Sequence, residues 1–184
     1  MAAESAGSRE NLIKLVTRLV LEELAKGPRI PLGVSNRHVH LNRGDMDILF
    51  GEGSELTRKK DLGQPGQYAA EETVSIKGPK GQINKVRVLG PLRPDTQVEI
   101  SLSDGFALGV NPPVRESGKL SGTPGIEIIG PRGSVKKKGS VIAALRHIHM
   151  SDKEAALYGF KDKEIVDVEA GSPERSATFR NVLL

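Results

Sequence analysis

Two different rhythms of apolar residues divide the chain. Leu12, Leu15, Val16, Leu19, Val20 and Leu24 recur at intervals of three and four, with Ile13 and Leu21 widening the stripe. That spacing predicts an amphipathic helix over residues 8–26, with Glu22 and Lys26 paired on its polar side and Gly27-Pro28 as its stop. Such a helix either packs on the body of the protein or lays its stripe into a partner's groove. After Pro28 the period shortens. Strands are predicted at 30–34, 73–76, 83–89, 98–102, 125–129, 164–169 and 177–184. Two of them run into the same hairpin signal, Gly78-Pro79-Lys80-Gly81 and Gly130-Pro131-Arg132-Gly133.

A second repeat is longer and carries polar chemistry. Arg37-His38-Val39-His40-Leu41-Asn42 and Arg146-His147-Ile148-His149-Met150-Ser151 match position by position, 109 residues apart. Each precedes a short helical stretch, 45–50 and 153–158, for which Asn42 and Ser151 are the expected N-caps, and each stretch runs into glycine. Two similar β-domains with one copy apiece are the simplest organisation, with a site between them. The expected fold is therefore mainly β, as two small β-barrels with short helices and the N-terminal amphipathic helix. Its divisions are 1–27, 28–115 and 116–184, with some exchange of strands between the barrels.

Composition narrows the function. Aromatic residues make up only 3% of the chain, so the core must rest on Val, Ile, Leu and Ala, while 21 glycines and 11 prolines suit many tight turns. Charged residues of both signs are interspersed, and the net +4 is modest apart from Lys136-Lys137-Lys138. A nucleic-acid partner would call for a basic face with aromatics for stacking, and that pattern is missing. There is no cysteine, which excludes disulfides, thiolate metal sites and a thiol nucleophile. No apolar run is long enough to span a membrane and no secretory signal is present, so a cytoplasmic location is expected.

The histidines are the chemistry-bearing residues. In an extended strand, side chains two apart share a face, so each His-x-His aims both imidazoles one way while Val39 or Ile148 points into the core. All four histidines of the chain fall into the two pairs. Divalent metal, with zinc first, is the expected ligand, and cobalt or nickel would suit the same donors. Four histidines cannot close two sites, so a carboxylate must join them. Glu99 is the candidate, though on the sequence alone the solvent face of an edge strand explains it better. Arg93, framed by turn residues, could grip phosphate with two parallel hydrogen bonds or sit in a surface salt bridge. Gln64-Pro65-Gly66-Gln67 reads as a turn.

Together Gly33–Leu41, Gln64–Glu72, Val88–Arg93 and Arg146–Met150 resemble the PduL-type phosphate acyltransferases, the phosphate propanoyltransferases of bacterial microcompartments, over about residues 30–184. The resemblance implies two β-barrels with an interfacial site for two zinc ions, and reversible acyl transfer between CoA and phosphate. It implies that His38, His40 and Glu99 hold one metal and His147 and His149 the other, with Arg93 as the catalytic, phosphate-binding residue. Ser35, Lys60, Arg87 and Phe106 match positions expected to line the CoA site. Direct attack by phosphate is expected; Ser117 would be the first nucleophile to test were an acyl-enzyme formed. The resemblance further implies another metal-binding histidine beyond Leu184, so the second domain is expected to be truncated. It makes residues 8–26 a candidate encapsulation helix for compartment shell or core proteins, and leaves homo-oligomerisation open. The rival readings are a metal-dependent hydrolase and a zinc-stapled structural module.

Overall fold

A computed structural model describes residues 2–25, 30–35, 37–172 and 174–184. In chain order the elements are α1 (Ala2–Ala25), β1 (His38–His40), α2 (Arg43–Phe50), β2 (Arg58–Asp61), β3 (Tyr68–Lys77), β4 (Gln82–Gly90), β5 (Gln97–Glu99), α3 (Leu102–Leu108), β6 (Val114–Arg115), β7 (Ile126–Ile129), β8 (Ser134–Lys137), β9 (Val141–Ala144), α4 (Asp152–Tyr158), β10 (Ile165–Ser172) and β11 (Arg175–Leu183). The fold is mainly β, built on one curled, half-barrel sheet with few helices.

That sheet runs β6-β9-β5-β1-β4-β3-β7-β8, with β2 added beside β3. β1 is central, parallel to β4 and antiparallel to β5. Central position explains why Val39, His40 and Leu41 are all buried, where a half-exposed strand would alternate. Val39, Val88 and Val98 sit side by side in neighbouring strands, each fully buried. Each contributes roughly 1.5–3 kcal/mol of apolar burial and fixes the backbone on which the polar residues stand. The hairpin β10–β11 forms a separate two-stranded sheet.

Both Gly-Pro turns close hairpins, β3–β4 and β7–β8, and both also dock a helix. The Lys80 amide donates to the Leu108 carbonyl at the end of α3, and the Arg132 amide donates to the Leu49 carbonyl in α2, each at 3.0 Å. A Cβ at Gly78 would stand 2.2 Å from the Leu108 oxygen, and one at Gly130 would stand 2.4 Å from the Leu49 oxygen. Glycine is needed there because helix and turn approach backbone to backbone. A buried network ties the halves of the sheet: Lys137 pairs with Asp45 at 2.8 Å, and Thr96 donates to the same carboxylate.

Asn42 and Ser151 cap α2 and α4 as expected, each accepting from the amide three residues on. Residues 30–34 are not a strand: they are extended, exposed coil, with Leu32 at 65% and Val34 at 87% accessibility. Pro31 lacks an amide hydrogen and Gly33 adds no side chain to pack, so five apolar-looking letters carried little strand-forming power. The stretch 98–102 is shorter than expected, because Ser101 opens α3 with a reciprocal capping box to Asp104. α1 is a helix, and residues 9–23 are exposed on every side, Leu12, Ile13, Leu15, Val16, Leu19, Val20 and Leu21 among them. Lys26 and the Gly27-Pro28 stop lie outside the described residues.

Candidate metal centre

Glu99 is not on an edge. β5 lies between β1 and β9, and its register sets Glu99 opposite His38 and Gln97 opposite His40. The antiparallel pairing brings the His-x-His face and the Gln-x-Glu face into one patch. Glu99 is 7% exposed, and its Oε2 lies 3.4 Å from His38 Nε2. His38, His40 and Glu99 each offer one donor atom within 4.8 Å of the others, the one such group of three found among the described residues.

The electrostatics suit a cation. Burial would raise the Glu99 carboxyl, but the hydrogen bond from His38 and the charges of His38, His40 and Arg93 outweigh it and hold the group at about 2. His40 is pushed down to about 3, first by burial, then by Arg93 and His38, against weaker support from Glu99 and the Leu89 carbonyl. At neutral pH the patch therefore holds an ionised carboxylate and a neutral imidazole, the forms in which these groups ligate metal. His40 Nδ1 is buried and makes no hydrogen bond of good geometry, the support from the Leu89 carbonyl being weak. A buried, unsatisfied ring nitrogen costs about 1–3 kcal/mol unless something completes it, and a divalent cation fits that donor set.

Arg93 lies beside this cluster. It follows β4, its amide donates to the Leu41 carbonyl at 2.9 Å, and its Nη1 donates to Ser117 Oγ at 3.0 Å. It is half-buried, and desolvation lowers its pKa against the opposing pull of Glu99. Arg87 is aligned with His38 on the other flank of β1, its guanidinium donating to the Ala70 and Glu71 carbonyls at 2.8 Å each.

The second pair stands in a different setting. His147 bridges Leu183 at the end of β11, and its Nδ1 faces the Leu145 carbonyl at 2.6 Å. His149 is exposed and touches the Gln64 amide. Its pKa is lowered by desolvation and by His147, with Glu99 pulling the other way. The charge of Glu99 is thus felt at His149, as expected if the pairs face one another: β9 runs beside β5 with Ile142 opposite Glu99, and the chain leaves β9 directly into the second motif. Ser35, Lys60 and Phe106 are exposed, Phe106 at 81%, and contacts among the described residues do not join them to this cluster.

Two residues of the site were not singled out from the sequence. Gln64 looked like a turn residue, yet it reaches the second pair. Gln97 is buried at 2% and contacts Glu99. The missed signal is a third copy of the histidine motif: Gln97-Val98-Glu99-Ile100-Ser101, like His38–Asn42 and His147–Ser151, leads through an N-cap into a short helix and a glycine, Gly109 here as Gly51 and Gly159 in the others.

The family model described as phosphate propanoyltransferase matches residues 31–184. The chain belongs to the phosphate propanoyltransferase family. It is 61% identical over 167 residues to the phosphate propanoyltransferase of Thermotoga maritima, covering 91% of this chain and 80% of that protein. The phosphate propanoyltransferase of Rhodopseudomonas palustris is 60% identical over 156 residues, 85% of this chain and 69% of its own. That of Salmonella typhimurium is 46% identical over 175 residues, 95% and 82% respectively. As a phosphate propanoyltransferase family member, the chain is a transferase, and the match covers every residue of the metal patch.

Proposed function

We propose that this enzyme transfers an acyl group, propionyl or acetyl, reversibly between CoA and inorganic phosphate, at a site that uses two zinc ions. The observation that carries the reading is the juxtaposition of a half-buried arginine, Arg93, with a preorganised carboxylate and two imidazoles in the core of the sheet. His38, His40 and Glu99 would hold one ion, and His147 and His149 the other. When bound, the ions supply electrophilic assistance and charge neutralisation for phosphate and for the departing sulfur.

The protein's own part is chiefly placement. Phosphate is a weak nucleophile toward a thioester and shares the sign of CoA's charge. Arg93 binds phosphate oxygens and offsets that repulsion, while its backbone anchor on Leu41 fixes where the guanidinium starts. A phosphate oxygen then attacks the thioester carbonyl carbon, the new C–O bond forms, the C–S bond breaks, and sulfur leaves as the thiolate of CoA. Ser117 Oγ already accepts from Arg93, so in this reading it orients the arginine and the acyl group passes directly to phosphate. Ser35, Lys60, Arg87 and Phe106 would line the CoA path, with the exposed Phe106 ring offering a face for adenine.

The architecture belongs to the same proposal. Residues 28–115 and 116–184 would be two barrels that exchange strands, with β7–β9 paired into the sheet of β1–β5 and β10–β11 standing apart. The exposed apolar residues of α1 would dock on compartment shell or core proteins. No helix among the described residues is long and apolar enough to cross a membrane. Deleting residues 1–27 should leave turnover intact and abolish compartment targeting, scored by co-purification with compartments; unchanged co-purification would sink that role.

The deciding assay is thiol release from propionyl-CoA with and without phosphate, alongside metal content. Strict dependence on phosphate and an Arg93→Ala loss of about 100-fold or more in kcat/KM for phosphate are expected. Equal release without phosphate would favour a hydrolase, and bound zinc without release a structural module.

A further inference from the structure

The side chain of Gln97 is nearly inaccessible, yet all its hydrogen-bonding capacity is directed at the site. Its Nε2 donates to Glu99 Oε1 at 2.6 Å and to Ser117 Oγ at 2.9 Å, and its Oε1 accepts from the Gly118 amide at 2.7 Å. The amide cannot be turned round. A backbone N–H can only donate and an ionised carboxylate can only accept, so the nitrogen must face Glu99 and the oxygen Gly118. Ser117 Oγ is equally committed: it accepts from Gln97 and from Arg93 Nη1 and donates to Glu99 Oε1 at 3.3 Å. Glu99 is divided by this arrangement. Oε1 is taken up by Gln97 and Ser117, which leaves Oε2 turned toward His38. Meanwhile Ser117 and Gly118 are exposed, and Gly118 adopts a left-handed backbone at φ +87°. An exposed turn would ordinarily be free to move; this one is tied to a buried strand through Gln97, with a longer bond from Ser117 to Glu99 beside it.

We propose that Gln97 is a positioning residue: its amide clamps the Ser117–Gly118 turn to the metal-ligating carboxylate Glu99, and so sets Arg93 relative to Glu99. This rests on the acyl-transfer reading for its consequence in catalysis, not for the clamp itself. Groups that orient a ligating carboxylate tune a metal site nearly as strongly as the ligand. Here the same amide reaches both the carboxylate and, through Ser117, the arginine that would hold phosphate.

Two variants of the full chain separate the parts of the clamp. Gln97→Leu removes all three hydrogen bonds at similar volume. Gln97→Glu keeps an acceptor for the Gly118 amide but replaces the donor to Glu99 by an oxygen. Loss of the charge-assisted amide bond to Glu99 should raise KM for phosphate about 10-fold in both variants, with KM for propionyl-CoA changed by less than about 2-fold. Amide hydrogen exchange at Gly118 should speed up about 10-fold in Gln97→Leu and stay near wild type in Gln97→Glu. Equal shifts in both KM values, or unaltered Gly118 exchange in Gln97→Leu, would overturn the proposal. If Gln97→Leu does not fold, the isosteric Gln97→Glu carries the test, and a phosphate KM within 2-fold of wild type overturns it. Should wild-type protein release no thiol in response to phosphate, the acyl-transfer reading falls, while Gly118 exchange still decides whether the clamp exists.

Discussion

One six-residue motif, Arg-His-x-His followed by an apolar residue and an N-cap, occurs in two environments, and the difference between them is instructive. In the first copy His38 and His40 lie on the central strand β1, flanked by β4 and β5 and faced by Glu99. Arg37 locks the copy in place through a two-pronged ion pair with Asp104, at 2.7 and 3.0 Å. In the second copy His147 and His149 leave β9 for a single bridge to β11, and Arg146 lies 5.9 Å from the Phe179 ring. Both copies place their rings edge to face, with centroids 5.1 and 4.6 Å apart. The motif therefore fixes how two rings meet. The position of the strand in the sheet decides burial, protonation and the number of further donors.

The largest test of that contrast is ligand removal. His40→Ala or Glu99→Ala should empty the buried centre and cost about 10²–10³-fold in kcat, with loss of one metal equivalent by elemental analysis. Neither change should release the metal of the second pair. Loss of both equivalents from a single substitution would mean that the two pairs form one inseparable site, and the contrast drawn above would fail.

A smaller effect is expected at the second pair. Two exposed imidazoles with Gln64 nearby make a weaker donor set than two buried imidazoles with a carboxylate. During stepwise titration with a chelator, the metal at His147 and His149 should leave first. His149→Ala should remove that equivalent and lower turnover about 10- to 100-fold while the buried centre stays filled. The reverse order of release would show that burial does not govern retention here.

Much of this contrast was legible in the sequence, for local reasons. The histidine pairs, both N-caps and both Gly-Pro hairpins are short-range signals, and each depends on residues within a few positions. What the sequence left open was long-range. Glu99 reads better as an edge-strand residue on the sequence alone, because nothing local says that β1 will pair on one side and β9 on the other. Gln97 was invisible for the same reason: its partners Ser117 and Gly118 are about twenty positions away. The capping box Ser101–Asp104 was readable and would have revealed α3. The strand expected at 30–34 does not form because Leu32 and Val34 are left uncovered and Pro31 and Gly33 weaken a strand.

The subtlest difference between the pairs should appear as pH dependence. An unfolded His40 takes a proton near 6.5, whereas in the fold burial and the charge of Arg93 defer that event to about 3. In metal-free protein the unfolded state thus binds the extra proton between these values, and stability falls as pH falls. One such group lowers unfolding free energy by about 1.4 kcal/mol between pH 7.5 and 5.5. Glu99 acts in the same direction, but only below about 4.5, where its unfolded form begins to protonate. His149 adds a lesser contribution of the same sign, since it is largely open to water. Unfolding free energies of the chelated protein, from urea titrations at the two pH values, should therefore differ by about that amount. His40→Leu should remove most of the difference and His149→Leu little of it. If both substitutions flatten the profile equally, the two pairs are alike in solution, and the sheet does not impose the asymmetry argued from their burial.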